Sequence, residues 1–183
     1  MYISLHGQTH RVPYSEEPFG EGNFYYKPDI DWCKWPEELR GIHVLNGRFT
    51  KENHLIVATD RKEVPLIEFD AEGNMLRSFG QGYFSKAHSV YLTPQNTILC
   101  ADSSASLHVI QEIAMDGTLV RTFGNKGIPG DSGYDSNYLA VLKEKGQVPD
   151  DPAWNKRPDF NASLDSIRKI GKPFCRPCAM VMD

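Results

Sequence analysis

The segment Gly73-Asn-Met-Leu-Arg-Ser-Phe-Gly80 recurs as Gly117-Thr-Leu-Val-Arg-Thr-Phe-Gly124, at an offset of 44 residues. Glycine, an apolar residue, arginine, a small hydroxyl residue, phenylalanine and glycine follow one another in both copies. Upstream, Leu55-Ile-Val-Ala-Thr-Asp60 is matched by Ile98-Leu-Cys-Ala-Asp102. Because the likeness extends over two separate stretches, the chain contains a repeated unit, and a repeat of this length is the first constraint on the fold.

The sequence of each unit predicts four short strands joined by tight turns. The apolar runs are rich in Val, Ile, Leu and Phe, and the glycines between them supply the positive φ that hairpin turns need. Four antiparallel strands in 40 to 50 residues is the pattern of a β-propeller blade. The predicted strands are 42–49, 55–60, 66–70 and 75–79 in the first unit, and 88–92, 97–101, 107–114 and 119–123 in the second.

The predicted fold class is therefore all-β: a propeller of four-stranded antiparallel blades, with about two blades and the start of a third present. Two short helical turns are expected in its inserted loop, at 139–145 and 163–170. The predicted organisation is an irregular, aromatic N-terminal strap (1–40) and a partial propeller (41–183), which divides into a blade (41–80), a second blade (83–124), an inserted loop (125–172) and the first strand of a further blade (173–183).

Two and a fraction blades do not close a ring, and an open blade leaves a large apolar face bare. The sequence predicts either an N-terminal fragment of a longer product, which we favour, or self-association through the open blade face.

Composition excludes some classes of partner. Hydrophobic residues make up 40% and charged residues 24% of the 183 residues, which is enough apolar content for a packed core. The formal charge is −4 and the basic residues are scattered, so we expect no nucleic-acid partner. No apolar stretch is long enough to span a bilayer, and the N-terminus does not resemble a signal peptide, so we expect no membrane association and a cytoplasmic location.

The repeats resemble NHL-repeat propellers, and more narrowly the bacterial relatives of peptidyl-α-hydroxyglycine α-amidating lyase. The resemblance covers roughly residues 41–183, apart from the insert, and rests on three segments: Phe79-Gly-Gln-Gly-Tyr-Phe-Ser-Lys-Ala-His-Ser-Val90, residues 116–130 and Phe174-Cys-Arg-Pro177.

This resemblance implies a six-bladed propeller that binds zinc through three histidines, holds a calcium ion and cleaves a carbinolamide to an amide and glyoxylate. By the same resemblance, His88 falls at the first zinc ligand, Val90 at a residue whose carbonyl contacts the calcium, and Arg61 at an active-site arginine. Zinc and calcium are thus the cofactors that the resemblance suggests.

Each of these residues also has a structural interpretation. His88 would be a channel histidine bonded to backbone or water, and Arg61 a surface residue paired with Asp60 or Glu63. Asp60 and Asp102 recur at one place in both units, which favours capping of a turn by bonds to backbone N–H groups. We expect free thiols, with Cys100 buried in a strand, and no redox or metal role for Cys175-Arg-Pro-Cys178.

Three functions remain open. One is a metal-dependent lyase of the amidating type in its complete form. The alternative is a non-catalytic propeller that binds a small-molecule or peptide ligand or a protein. The third is a chain with only a structural or vestigial role. The sequence leaves open whether the chain is an enzyme, because the other zinc ligands of the resembled family belong to later blades.

Overall fold

The computed structural model describes residues 2–5 and 8–11 as backbone and residues 18–180 in full. The chain is mostly β, in antiparallel sheets of two and four strands. The strands are β1 (Tyr2–Leu5), β2 (Gln8–Arg11), β3 (Phe19–Glu21), β4 (Phe24–Tyr26), β5 (Val44–Phe49), β6 (Leu55–Thr59), β7 (Leu66–Phe69), β8 (Met75–Phe79), β9 (Ala87–Leu92), β10 (Thr97–Asp102), β11 (Ile110–Ala114) and β12 (Leu119–Phe123); the helices are α1 (Tyr138–Glu144), α2 (Pro152–Asn155) and α3 (Pro158–Asp165).

The two repeated units form two four-stranded sheets. Strands β5, β6, β7 and β8 lie in chain order in the first sheet, and β9, β10, β11 and β12 lie in chain order in the second sheet. Every neighbouring pair is antiparallel. All eight predicted strands are present; two have the predicted bounds, and the bounds of the other six differ by one to three residues.

The hairpin turns of the two sheets are chemically alike. Asn53 and Asn96 both take a positive φ, near 64° and 62°, in the turns before β6 and β10. Asparagine tolerates this conformation better than most residues. In both turns a threonine hydroxyl accepts a backbone N–H four residues on, Thr50 from His54 and Thr93 from Thr97. The sequence therefore closes both hairpins by the same bonds.

The two sheets pack face to face around the main core. The core side chains alternate along the strands, as one buried face of a sheet requires. Ile56, Ala58 and Leu66 of the first sheet meet Val90, Ile98, Cys100 and Ile113 of the second, and all seven are at most 2% exposed. The opposite face of the first sheet, with Val57, Ile67 and Phe69, faces away from the second sheet.

Residues 32–42, the covering segment, pack over that opposite face. The ring of Trp35 meets the ring of Phe69 edge to face, with 4.8 Å between centroids. The Lys34 N–H donates to the Gly73 carbonyl at 2.8 Å. A Cβ at position 73 would lie 1.8 Å from the Trp32 carbonyl oxygen, so only glycine admits this close approach. The covering segment therefore ends the stack of sheets on one side.

The N-terminal region is less irregular than predicted. The range 1–40 contains two short antiparallel hairpins, β1–β2 and β3–β4. Gly22, at φ 63°, and Asn23 form the two-residue connection between β3 and β4. A Gly-Asn pair is a hairpin signal, because both residues tolerate the positive φ that a two-residue turn requires.

The insert 125–172 is not a plain loop, because α1, α2 and α3 lie in it. The predicted turn at 139–145 corresponds to α1, whereas the one at 163–170 overlaps only the end of α3. The three helices share a small core of their own, formed by Leu139, Leu142 and Ala162 with Tyr138 and Trp154 packed against it.

Residues 173–180 form no strand, and residues 181–183 of the predicted further strand lie outside the described residues. Arg176 has a positive φ near 53°, which interrupts an extended conformation. A first strand of a blade also pairs with the second strand of the same blade, and no such partner is present in the part of the chain that the structure describes. Among the described residues, none of the helices has the length and apolar character needed to cross a membrane.

Candidate functional site

A groove of about 840 Å³ lies between the second sheet and the insert. One wall is the edge of the second sheet where β9 begins and β10 ends. The other walls are α3 with the residues after it, and the segment 171–178. The lining residues are Lys86, His88, Ser103, Ser132, Tyr134, Phe160, Leu164, Ile167, Arg168, Lys169, Ile170, Gly171, Cys175, Arg176 and Cys178.

Asp102 positions the floor of the groove. It is fully buried at the end of β10, and one of its carboxylate oxygens accepts the backbone N–H groups of Ser85 and Lys86 at 2.7 and 3.0 Å. The other oxygen accepts the Ser104 N–H at 2.8 Å. These bonds fix the turn into β9, so they hold Lys86 and His88 at the groove. The turn-capping role predicted for Asp102 is thereby confirmed.

Asp60, at the matching place in the first sheet, behaves differently. Its carboxylate lies 3.0 Å from Nδ1 of His43, and both side chains are partly exposed. The repeat therefore keeps the aspartate but uses its carboxylate for different partners.

His88 lines the groove, and one of its ring nitrogens is committed. Its Nδ1 lies 2.8 Å from the Cys178 carbonyl oxygen, which can only accept. Nδ1 is therefore the donor, and in the neutral ring Nε2 carries the free lone pair. Metal-binding histidines commonly show this arrangement, because a backbone carbonyl fixes the tautomer. The same bond also fits the alternative of a histidine bonded to backbone.

Arg176 closes the groove from the side of the segment 171–178. Its Nε donates to the Ser103 carbonyl at 3.2 Å and its Nη1 to the Tyr134 hydroxyl at 2.5 Å. Its backbone N–H donates to Nδ1 of His108 at 3.2 Å. The guanidinium is thus held in place by both the second sheet and the insert.

The groove combines cations with an apolar wall. Lys86, Arg168, Lys169 and Arg176 line it, with no carboxylate side chain among the lining residues. Arg168 and Arg176 bond to tyrosine hydroxyls, and Lys169 pairs with Asp131. Among residues 18–180, the Lys86 ammonium has neither an ion pair nor a hydrogen bond, and it is exposed. The wall formed by α3 and the residues after it carries partly exposed Phe160, Leu164 and Ile167, next to Arg168 and Lys169.

The other sequence-predicted site residues do not line the groove. Arg61 is exposed just after β6, at the corresponding end of the first sheet, and the described residues give its side chain no ion pair with Asp60 or Glu63. Val90 lies within β9 with its side chain in the main core, and its N–H donates to Oδ1 of Asn46 at 3.2 Å. Their assigned roles stay predictions.

The cysteines are free thiols, as predicted, and Cys100 is fully buried in β10. Burial raises the pKa of the Cys100 thiol far above its usual range. Cys175 and Cys178 both line the groove near His88. Within the described ranges, no group of three or more His, Cys, Asp or Glu side chains is placed to hold a metal ion. These residues alone therefore do not fit the zinc that the resemblance suggests.

Sequence reasoning located His88 but missed the rest of the groove. The apolar lining residues and two of the four cations, Arg168 and Lys169, lie in the insert, which has no counterpart between the two repeated units. One signal was available: the run from Phe160 to Ile170 places Phe160, Leu164 and Ile167 at helical spacing, which predicts one apolar helix face.

Comparison with known proteins adds little to this geometry. No family model matches the chain, and no curated protein matches it. One similar solved structure is a protein of unknown function from Bacteroides caccae, at 16% identity and a TM-score of 0.35; the match covers 58% of this chain and 36% of that protein.

Proposed function

We propose that the chain is a ligand-binding protein built from two propeller-type blades, and that the groove beside His88 binds a small organic anion with an apolar body. The observation that carries this proposal is the lining of the groove, where four cationic side chains accompany the apolar residues Phe160, Leu164 and Ile167 and no carboxylate side chain is among the lining residues. Pockets that recognise small molecules are typically apolar with a few polar groups that fix orientation.

The stacking of the two sheets supports the propeller part of the proposal. The face of the first sheet that carries Ile56 packs on the face of the second sheet that carries Ile98. These two faces are not equivalent in the repeat. Ile56 pairs with Glu68 and Leu99 pairs with the equivalent Glu112, so Ile56 corresponds to Leu99, which lies on the other face of the second sheet from Ile98. Successive units that pack unlike faces in this way form a continuing series, as blades do.

Lys86 is the cation best suited to the ligand. Its ammonium is not committed to another described residue, and Asp102 fixes the backbone from which it extends. A carboxylate beside it would gain a charge-assisted hydrogen bond. Arg176 and His88 are already bonded to other groups, so they would not move when a ligand binds. Arg176 would add positive potential to the groove, and His88 would add the lone pair of Nε2.

Isothermal titration of the full chain with 4-phenylbutyrate tests the proposal, and 4-phenylbutyramide is the matched uncharged ligand. We expect the acid to bind at one site per chain and the amide to bind more weakly. Lys86→Ala should weaken binding of the acid about fivefold or more, which corresponds to about 1 kcal/mol for a partly exposed charge pair. Lys143→Ala, on the exposed face of α1, should leave affinity unchanged.

Equal affinity for acid and amide, or an unchanged affinity in Lys86→Ala, would show that the groove does not select anions. Absence of saturable binding for both ligands would overturn the binding proposal itself.

The zinc-dependent lyase is a second proposal, and the orientation of His88 favours it. Its Nδ1 bond to Cys178 leaves Nε2 for a metal, but further ligands would have to come from outside the described residues. Zinc and calcium titrations of the full chain, with His88→Ala as the control, test the metal sites. Release of glyoxylate from an N-acyl-α-hydroxyglycine tests the activity. Zinc binding that His88→Ala leaves intact would contradict this proposal.

A further inference from the structure

The hairpin of β3 and β4 presents four large aromatic side chains to solvent. Phe19, Phe24, Tyr25 and Tyr26 are between 57% and 70% exposed. A two-stranded hairpin alone is at best marginally stable in water, and large apolar groups that are exposed together mark interaction sites. The exposed rings therefore indicate a binding surface.

Three of these rings share one face of the hairpin with a carboxylate. The strands pair Phe19 with Tyr26 and Glu21 with Phe24, and alternation along each strand places all four side chains on the same face, which we call the hairpin face. The ring centroids of Phe19 and Tyr26 are 6.2 Å apart. Residues directly opposite each other have Cβ atoms about 5 Å apart, so Glu21 and Phe24 set a carboxylate beside a phenyl ring at the tip.

The hairpin face has the chemistry that the groove is proposed to recognise, which is an anion with an apolar body. The groove supplies four cations and an apolar wall, and no carboxylate side chain lines it. Among residues 18–180, the Glu21 carboxylate has neither an ion pair nor a hydrogen bond, and it is exposed. The groove volume of about 840 Å³ is that of a pocket for a drug-sized ligand, so a phenyl ring and a carboxylate can enter it together.

The hairpin does not occupy the groove of its own chain. Its rings are exposed, and none of its residues lines the groove. Residues 27–31 connect it to the covering segment, which packs on the face of the first sheet that is turned away from the second sheet. The first sheet therefore stands between the attachment point of the hairpin and the groove. Both surfaces are accessible to another copy of the chain.

We propose that the hairpin face of one copy of this chain binds in the groove of a second copy. The Glu21 carboxylate of one copy pairs with the Lys86 ammonium of the other in a charge-assisted hydrogen bond, and the Phe24 ring packs on the wall that carries Phe160 and Leu164. This inference rests on the proposed anion-binding function of the groove and names a partner for it. The contact joins two unlike surfaces, so each copy offers one hairpin and one groove.

Sedimentation velocity of the full chain at rising concentration tests the proposal. We expect association that grows with concentration. Glu21→Lys should weaken it about tenfold or more, because two ammonium groups then meet in the groove. Phe24→Ala should weaken it as well, because the wall loses its ring. Glu144→Lys, which makes the same change of charge at the exposed end of α1, should leave association unchanged.

A mixture of two charge-reversed chains makes the test independent of simple loss of folding. Lys86→Glu alone should not self-associate, because its groove repels Glu21. An equimolar mixture of Glu21→Lys and Lys86→Glu chains should associate, because the unmodified hairpin of one fits the unmodified groove of the other. A mixture that stays monomeric, as its two components do, would overturn the proposal.

Titration with 4-phenylbutyrate distinguishes this proposal from the proposed function. The ligand should dissociate the associated chains, because it occupies the same groove, and Glu21→Lys should still bind it. Saturable binding of the ligand by an unmodified chain that stays monomeric would overturn the hairpin contact and leave the proposed function intact. Association that persists in both charge-reversed chains would place the contact elsewhere and would also overturn it. Association that only the mixture of reversed chains restores, without any binding of the ligand, would support the hairpin contact and refute the small-molecule function.

Discussion

At the scale of single residues, Asp102 and Asp60 show how one repeated carboxylate acquires two energetic roles. The Asp102 carboxylate is fully buried and accepts three backbone N–H groups. We predict that Asp102→Ala lowers the free energy of unfolding by about 3 kcal/mol, because buried donors lose a charged acceptor. Asp60→Ala should cost less than about 1 kcal/mol, because its pair with His43 is exposed. Urea unfolding of both variants measures the difference; similar costs would contradict the assignment.

Glu112 links stability to pH. The pKa of the Glu112 carboxyl lies below its usual range. The main cause is the hydrogen bond from the Thr97 hydroxyl, and the next is the hydrogen bond from the Arg121 guanidinium. Glu68 is similar: burial raises its pKa, but hydrogen bonds from His54 and Arg77 outweigh that effect and lower it. A folded-state pKa below the unfolded value of about 4.3 stabilises the fold above that pH, and the stabilisation is lost as the pH falls through the folded pKa.

We therefore predict that the free energy of unfolding falls as the pH drops below about 4. Glu112→Gln should lower the free energy of unfolding at pH 7 and should reduce the further loss of that free energy between pH 7 and pH 3. Urea unfolding at pH 7 and pH 3 measures both effects, with Glu144→Gln, at the exposed end of α1, as the matched control. A variant that loses as much stability in acid as the unmodified chain would show that this carboxylate does not contribute.

At the scale of elements, the covering segment replaces a neighbouring sheet on the first sheet. Trp35 stacks edge to face on Phe69, beside Trp32, Leu39 and Ile42. We predict that Trp35→Ala lowers the free energy of unfolding of the sheets by about 2 kcal/mol, less than for a fully buried tryptophan because the ring is half-buried. Hydrogen exchange at β6 and β7 should accelerate. Trp154→Ala, in the core of the insert, should leave hydrogen exchange at β6 and β7 unchanged. Equal effects of Trp35→Ala and Trp154→Ala on these strands would contradict the covering role of residues 32–42.

The strands could be predicted from the sequence because each is encoded locally. Leu55 to Thr59 and Thr97 to Asp102 are apolar runs between turn residues, and the repetition of both turns confirms the pattern twice. The groove could not be predicted in the same way. Phe160 and Leu164 are far in sequence from His88, and they line one groove with it because Arg176 bonds both to the Ser103 carbonyl after β10 and to the Tyr134 hydroxyl of the insert. Such contacts have no local sequence signal.

At the scale of the whole molecule, the two sheets and the insert form separate cores that meet at the groove. The helices bury Leu139, Leu142 and Ala162 among themselves, whereas the sheets bury their own aliphatic residues. Units that bury separate apolar cores can open separately. Sequence changes in the helices can therefore alter the groove while the sheets keep their stability.

The ends of the helical part lie close together, which allows its removal. The Asp135 N–H donates to Oγ of Ser166 at 2.7 Å, so a short Gly-Ser linker can replace residues 136–165. We predict that the midpoint of thermal unfolding of the sheets changes by less than about 4 °C, because the main core is untouched and shorter loops cost less closure entropy. Binding of 4-phenylbutyrate should be lost, because Phe160 and Leu164 leave the groove while Lys86 and His88 remain. Calorimetric unfolding and titration of one preparation give both readouts. Binding that survives the deletion would place the ligand on the sheet edge alone, and collapse of the sheets would show that the insert belongs to their folding unit.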